Sequence, residues 1–83
     1  EALAIQKQKE ENRATKNGLQ ALLRDRIIQS YNRYVNDEGC CPIYALENIQ
    51  AMYKAYHDLG GNGAVDKLMD DIESLPTEKR REG

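Results

Sequence analysis

The sequence predicts an all-α fold, in which three helices form one small domain and a helical stalk precedes them. From Leu19 onward, apolar residues recur at steps of three and four, which is the period of a helix. Turn residues interrupt this period at two loops, and no segment of useful length alternates as a strand does. The 83 residues leave room for one compact domain only.

Residues 1–17 are predicted to form a charged helical stalk or linker. They are rich in Gln, Lys and Glu, contain neither Gly nor Pro, and show no sustained apolar heptad. The three-helix domain is expected over residues 18–76. Its first helix is expected over residues 18–36, either continuous with the stalk or separate from it. The apolar stripe of this helix consists of Leu19, Leu22, Leu23, Ile27, Ile28, Tyr31, Tyr34 and Val35.

Turn residues separate the two helices that follow. Gly39 is expected to end the first helix in the left-handed conformation. The second helix is expected over residues 44–58 and the third over residues 64–74, with a glycine-rich loop between them. Pro76 prevents continuation of the third helix. Residues 77–83 are therefore predicted to be a flexible polar tail.

The charge of the chain is nearly balanced overall and uneven along its length. The formal net charge of −2 indicates no strong polyelectrolyte partner. Residues 17–35 carry a net charge of +2, whereas residues 36–58 and residues 59–75 each carry −3. This distribution fits antiparallel helices within one domain or pairing between chains, and it fits a solvated surface equally well.

Nucleic-acid binding is an alternative function, although the sequence makes it unfavourable. Three short helices with a turn are typical of a helix-turn-helix domain, whose last helix enters the major groove. Here the last helix carries four acidic residues against Lys67 alone, so DNA phosphates would repel it. The basic residues that remain for this alternative are Arg24, Arg26, Arg33, Lys79, Arg80 and Arg81.

The glycine-rich loop resembles the calcium-binding loop of an EF-hand. On that pattern, Asp58 takes the first position, Asn62 the fifth, Gly63 the turn and Asp66 the ninth. The third position offers no side-chain ligand, and Met69 stands where a bidentate Glu is required. The favoured interpretation is a helix–helix turn with Asn62 or Gly63 near a cap and no metal. Weak calcium binding through Asp58, Asn62 and Asp66 is the alternative.

Cysteine and histidine residues offer little for chemistry. Cys40 and Cys41 are adjacent, and a disulfide between neighbours is strained. We expect reduced thiols packed into the loop, with a bridge between chains as the alternative. His57 is expected at a helix end, where the dipole favours it. The sequence therefore predicts no enzyme, no cofactor and no small-molecule substrate.

All five aromatic residues are tyrosines. A tyrosine ring packs against a core while its hydroxyl group meets water. We therefore expect these residues first at the edge of the core and second as a surface for protein contacts. The five residues are Tyr31, Tyr34, Tyr44, Tyr53 and Tyr56.

Four runs in the sequence carry a resemblance to a protein family. They are ALLRDRIIQSYN at residues 21–32, CPIYALEN at 41–48, YKAYHDLGGNG at 53–63 and LPT at 75–77. These runs resemble segments of small proteins from prophages of Gram-positive bacteria, which are labelled hypothetical or holin-like. The resemblance spans residues 19–77, and its Tyr-His-x-Leu-Gly-Gly-Asn-Gly run is the most specific part. The resemblance implies a membrane segment, a charged helical stalk and then this domain, with no known catalytic or binding residues.

The function expected from this resemblance is that of a non-enzymatic phage accessory domain, and the lysis region of the phage genome is one expected setting. It would be the soluble head of a membrane-tethered protein that contacts a protein partner or a second copy of itself. Glu1 is not an initiator methionine, which fits a chain separated from a preceding membrane segment. The expected location is the host cytoplasm, at the inner face of the membrane. A membrane-linked DNA-organising domain and a weak calcium binder are the alternatives.

Overall fold

The computed structural model describes residues 2–79 and confirms the all-α expectation. No strand occurs within this range. A π-helical segment, Asn32–Glu38, extends the first helix, and a 3₁₀ turn, Gly63–Val65, precedes the third. The three α-helices are α1 (Ala2–Tyr31), α2 (Ile43–Asp58) and α3 (Asp66–Glu73).

The predicted stalk is the first part of α1 and continues into the domain without a break. The helix has 30 residues and is therefore about 45 Å long. Side chains of residues 6–19 are exposed, and the molecule measures 70 × 20 × 15 Å. The side chain of Gln20 meets the rest of the fold, since its amide nitrogen donates to the carbonyl of Leu59. We call residues 2–19 the arm and residues 20–76 the head.

The end of the first helix differs from the prediction in its winding. The last seven residues, Asn32–Glu38, are π-helical, and this wider winding shifts the side chains relative to an α-helix. Gly39 ends the segment with a φ of 71°, and its N–H donates to the carbonyl of Tyr34 at 2.7 Å. The left-handed glycine predicted from the sequence is therefore confirmed.

The core lies between the head part of α1 and the helices α2 and α3. The largest fully buried side chains are those of Ile27, Cys41, Ile49, Tyr56, Val65, Met69 and Ile72. Most of this set comes from α2, α3 and the turns, so α1 contributes only one narrow face. No helix among the described residues is both long and apolar enough to cross a membrane.

The predicted apolar stripe of the first helix is wrong in part. Ile27 is fully buried as expected, but Leu19 and Leu22 are 45% and 64% exposed, and Ile28 is also exposed. The two other helices cover only the face of α1 that contains Gln20 and residues three or four steps further on. Leu19 and Leu22 precede residues of this face by one position, which turns them away by about 100°.

The first loop is fastened to the segment that follows α3. The backbone N–H of Cys41 donates to the carbonyl of Pro76 at 2.9 Å, and Leu75 packs against the core. Cys40 and Cys41 are both buried, with no disulfide between them, so the predicted packing of these residues into the loop is confirmed. This fastening explains how a short segment beyond the last helix takes part in the head.

Candidate functional site

The structure divides the five tyrosines into three groups. Tyr34 and Tyr56 are buried in the core, so they do not belong to an exposed surface as the sequence suggested. Tyr31 is half-buried, and its hydroxyl group donates to Asp71 at 3.4 Å. Tyr53 is half-buried and bonded to α3. Tyr44 alone presents most of its ring to solvent, with 77% of its surface exposed.

Tyr44 and its neighbour Ile43 form an exposed apolar pair in the first turn of α2, which we call the α2 patch. Ile43 is 59% exposed. The buried positions of this helix begin with Ala45 and continue at Ile49, so the two preceding residues point away from the core. Tyrosine combines a large apolar ring with a hydroxyl group and is enriched at protein interfaces. The α2 patch is therefore a candidate surface for a protein contact.

A polar cluster that the sequence did not predict joins α2 to α3. The carboxylate of Asp66 accepts a hydrogen bond from the hydroxyl group of Tyr53. The same carboxylate lies 3.3 Å from Nε2 of His57. Tyr53 and His57 are four residues apart and so share one side of α2. Their rings meet edge to face with centroids 4.6 Å apart.

The hydrogen bond between Tyr53 and Asp66 shifts the pKa of both side chains. Donation by Tyr53 holds the pKa of the Asp66 carboxyl below its usual value, and the contact with His57 lowers it further. The same hydrogen bond raises the pKa of Tyr53 to about 12, with the charges of Asp70 and Glu73 adding to the effect. The cluster links two side chains of α2 to the first residue of α3. The spacing of Tyr53 and His57 was its only signal in the sequence.

The residues of the EF-hand alternative do not converge on one point. Asp58 lies 3.8 Å from the ammonium group of Lys54, and Asp66 is engaged by the polar cluster. The side-chain oxygen of Asn62 accepts from the N–H of Ala64 at 3.0 Å, which caps the 3₁₀ turn. Residues 2–79 contain no group of three or more acidic, histidine or cysteine residues that could hold a metal ion. The loop is a capped helix–helix turn in which the side chains of Asp58, Asn62 and Asp66 have separate partners.

Two of the predicted basic residues line one shallow groove on the head. Arg26 and Arg33 flank this groove together with Tyr34. The guanidinium group of Arg33 lies 5.2 Å above the centre of the Tyr34 ring and 3.6 Å from the carboxylate of Glu38. The side chains of Arg33 and Glu38 are 67% and 38% exposed. Part of the positive charge is therefore already matched by a neighbour.

The remaining basic residues do not extend this groove. Arg24 is two positions from Arg26, and residues at that spacing point to different sides of a helix. Lys79 lies beyond α3 and is exposed. Arg80 and Arg81 lie outside the described residues. The four predicted basic residues that are described, Arg24, Arg26, Arg33 and Lys79, thus do not form one continuous surface.

No protein-family model, curated protein or solved structure matches this chain. A functional assignment therefore depends on the surfaces of the molecule. Of the residues predicted from the sequence, Tyr44 offers an accessible apolar surface. The groove between Arg26 and Arg33 offers an accessible polar one.

Proposed function

We propose that this chain is a non-enzymatic accessory domain of a phage, the head of a membrane-tethered protein that acts by binding other proteins. The observation that carries the proposal is the exposure of the α2 patch. Ile43 and Tyr44 leave a large apolar surface in water, and a protein partner would remove that surface from water at a favourable free energy. The resemblance to prophage proteins supplies the biological setting.

The arm supports the part of this proposal that concerns tethering. Its side chains are exposed over residues 6–19, so they contribute nothing to the core of the head. A helix rises by about 1.5 Å per residue, and a polar helix of this kind acts as a spacer. It would hold the head, and with it the α2 patch, away from the membrane surface.

The state of the reactive side chains supports binding in preference to chemistry. Burial raises the pKa of the Cys41 thiol, and the neighbouring Cys40 and Glu38 raise it further, which disfavours the nucleophilic thiolate. His57 and Tyr53 are both engaged by the Asp66 carboxylate. These groups maintain the fold, and the exposed surface remains for contacts.

Site-specific photocrosslinking tests the proposed function. The full-length parent protein would carry a photoreactive phenylalanine analogue in place of Tyr44, in a Gram-positive host with the induced prophage. We expect a discrete crosslinked species that contains a second protein, and we expect Ile43→Glu to abolish it. The same analogue at Lys54, which is 82% exposed on the same helix, is the matched control and should give no such species. Equal labelling from both positions, or none from Tyr44, would overturn the proposal.

A further inference from the structure

Four exposed residues of α1 form one continuous face, which we call the arm face. Leu19 and Leu22 stand at its head end, and Asn12 and Thr15 continue it along the arm. The steps between these residues are three, four and three, which is the spacing of the a and d positions of a coiled coil. The sequence alone had assigned the two leucines to the core of the head. Their exposure turns this face outward and leaves it without a partner among the described residues.

The hydroxyl group of Thr15 does not oppose burial of the arm face. Its Oγ1 donates to the carbonyl of Glu11 at 3.0 Å, so its hydrogen bond is made within its own helix. The methyl group is then free to contact another helix. Asn12 occupies an a position, where a buried asparagine pairs with its own counterpart and favours a parallel dimer in fixed register.

The charges beside the arm face also favour a parallel dimer. Glu11 immediately precedes Asn12 and holds a g position, and Lys16 follows Thr15 and holds an e position. In a parallel pair, the g residue of one helix lies opposite the following e residue of the other, so Glu11 of one copy faces Lys16 of the second. An antiparallel pair would bring like charges together. Within residues 2–79, neither side chain is in an ion pair of 4.0 Å or less.

We propose that two copies of this chain associate in parallel through the arm face, with Leu19 and Leu22 packed against their counterparts. This inference rests on the proposed function, because it specifies a second copy as one partner of a protein-binding domain. It uses a surface separate from the α2 patch. The complementary charges of Glu11 and Lys16, together with Asn12, identify a second copy of the chain as the partner of the arm face.

The sequence beyond Leu22 limits the length of such a pair. Gln20 and Leu23 face the other helices of the head. Each follows a leucine of the arm face by one position and is turned from that leucine by about 100°, so the two heads would lie beside the paired helices. The next a position is Arg26, where two positive charges would face each other. The helices therefore separate after Leu22. A contact of about two heptads is short, so its strength depends on concentration.

Sedimentation equilibrium of the chain from micromolar to millimolar concentration tests this pairing. We expect a shift from monomer to dimer, and we expect Leu22→Glu to raise the dimer Kd by about tenfold or more, because a charge replaces a buried apolar contact. Ala21→Glu is the matched control, since it adds the same charge at an exposed neighbouring position of α1 outside the arm face and should leave Kd unchanged. Circular dichroism of each variant verifies that the head remains folded. A wild-type chain that stays monomeric, or a Leu22→Glu chain that dimerises as the wild type does, would overturn the inference.

Charge exchange tests the direction of pairing. Glu11→Lys and Lys16→Glu should each weaken the dimer, and the double variant should restore it because opposite charges again face each other. Failure of the double variant to recover would overturn the parallel arrangement. The outcome is separable from the proposed function: crosslinking from Tyr44 without a dimer rejects only this pairing. A dimer without crosslinking rejects only the role of the α2 patch.

Discussion

Gly61 lies directly against the ring of Tyr56, so closely that a methyl group on the glycine would come 2.5 Å from two ring carbons. The two residues are also joined by the N–H of Gly61, which donates to the carbonyl of Tyr56 at 2.9 Å. The hydroxyl group of this tyrosine donates to the side chain of Asn62 at 3.1 Å. The loop therefore folds around a buried ring. Close packing against this ring accounts for the glycine at position 61, and hydrogen bonding accounts for the asparagine at position 62.

Replacement of Gly61 by alanine is expected to destabilise the head by about 1–3 kcal/mol, because the added methyl group overpacks a buried site. Gly18→Ala is the matched control. A methyl group at Gly18 meets no described atom within 4 Å, and alanine in a helix interior is favoured over glycine by about 0.5–1 kcal/mol. Urea denaturation should show opposite shifts for the two variants. Equal free energies of unfolding would contradict the close packing at Tyr56.

Removal of the Tyr53 hydroxyl group is expected to lower the Tm. Tyr53→Phe deletes the donor to Asp66 and leaves the ring in contact with His57. Tyr44→Phe removes a hydroxyl group from a largely exposed ring and should leave the Tm unchanged. Thermal denaturation followed by circular dichroism compares the two variants. If both behave as the wild type, the polar cluster contributes nothing to the joining of α2 and α3.

The stability of the head should also depend on pH through this cluster. Folding lowers the pKa of Asp66 from its ordinary value of 3.8, so this contribution is present above that pH and is lost as the pH falls through the lowered value. Folding raises the pKa of Tyr53 from 10 to about 12, so its contribution is present below pH 10 and is lost between pH 10 and about 12. Denaturant titrations at several pH values should show the free energy of unfolding falling at acidic pH and again at alkaline pH. The alkaline slope should diminish in Tyr53→Phe.

Calcium is expected to leave the stability unchanged. A ligand that binds only the folded state raises the Tm in proportion to its occupancy. The side chains of Asp58, Asn62 and Asp66 are engaged with separate partners, and the loop lacks the bidentate Glu of an EF-hand. Thermal scans with millimolar calcium and with a chelator should therefore coincide. A rise of the Tm that a chelator reverses would support the calcium interpretation.

Substitutions in α1 should distinguish its buried face from its exposed one. Ile27→Ala creates a cavity at a fully buried position and is expected to cost about 2–5 kcal/mol. Leu22→Ala removes an exposed side chain and is expected to change the free energy of unfolding by about 0.5 kcal/mol or less. Both would be measured at a concentration where the chain is monomeric. Similar losses at the two positions would place Leu22 in the core after all.

The sequence predicts where the helices begin and end better than it predicts which side of each helix is buried. Helix ends at Gly39 and before the Gly60 loop depend on backbone conformation, and local residue types determine that conformation. The direction of Leu22 depends on how much of α1 two short helices can cover, which is a property of the assembled head. The contact between Tyr53 and Asp66 likewise requires the relative placement of α2 and α3. The spacing of apolar residues in the sequence gives no information on how much of α1 is covered or on how α2 and α3 are placed relative to each other.

The unbroken course of α1 through the arm and into the head fixes the direction in which the head faces. Each residue of an α-helix adds a rotation of about 100° and an advance of about 1.5 Å. One residue inserted before Leu19 would turn the head by more than a quarter of a circle relative to everything at the other end of the arm. The number of residues in the arm therefore sets the orientation of the head. Evolution could re-aim the α2 patch by changing this length while every contact within the head stays the same.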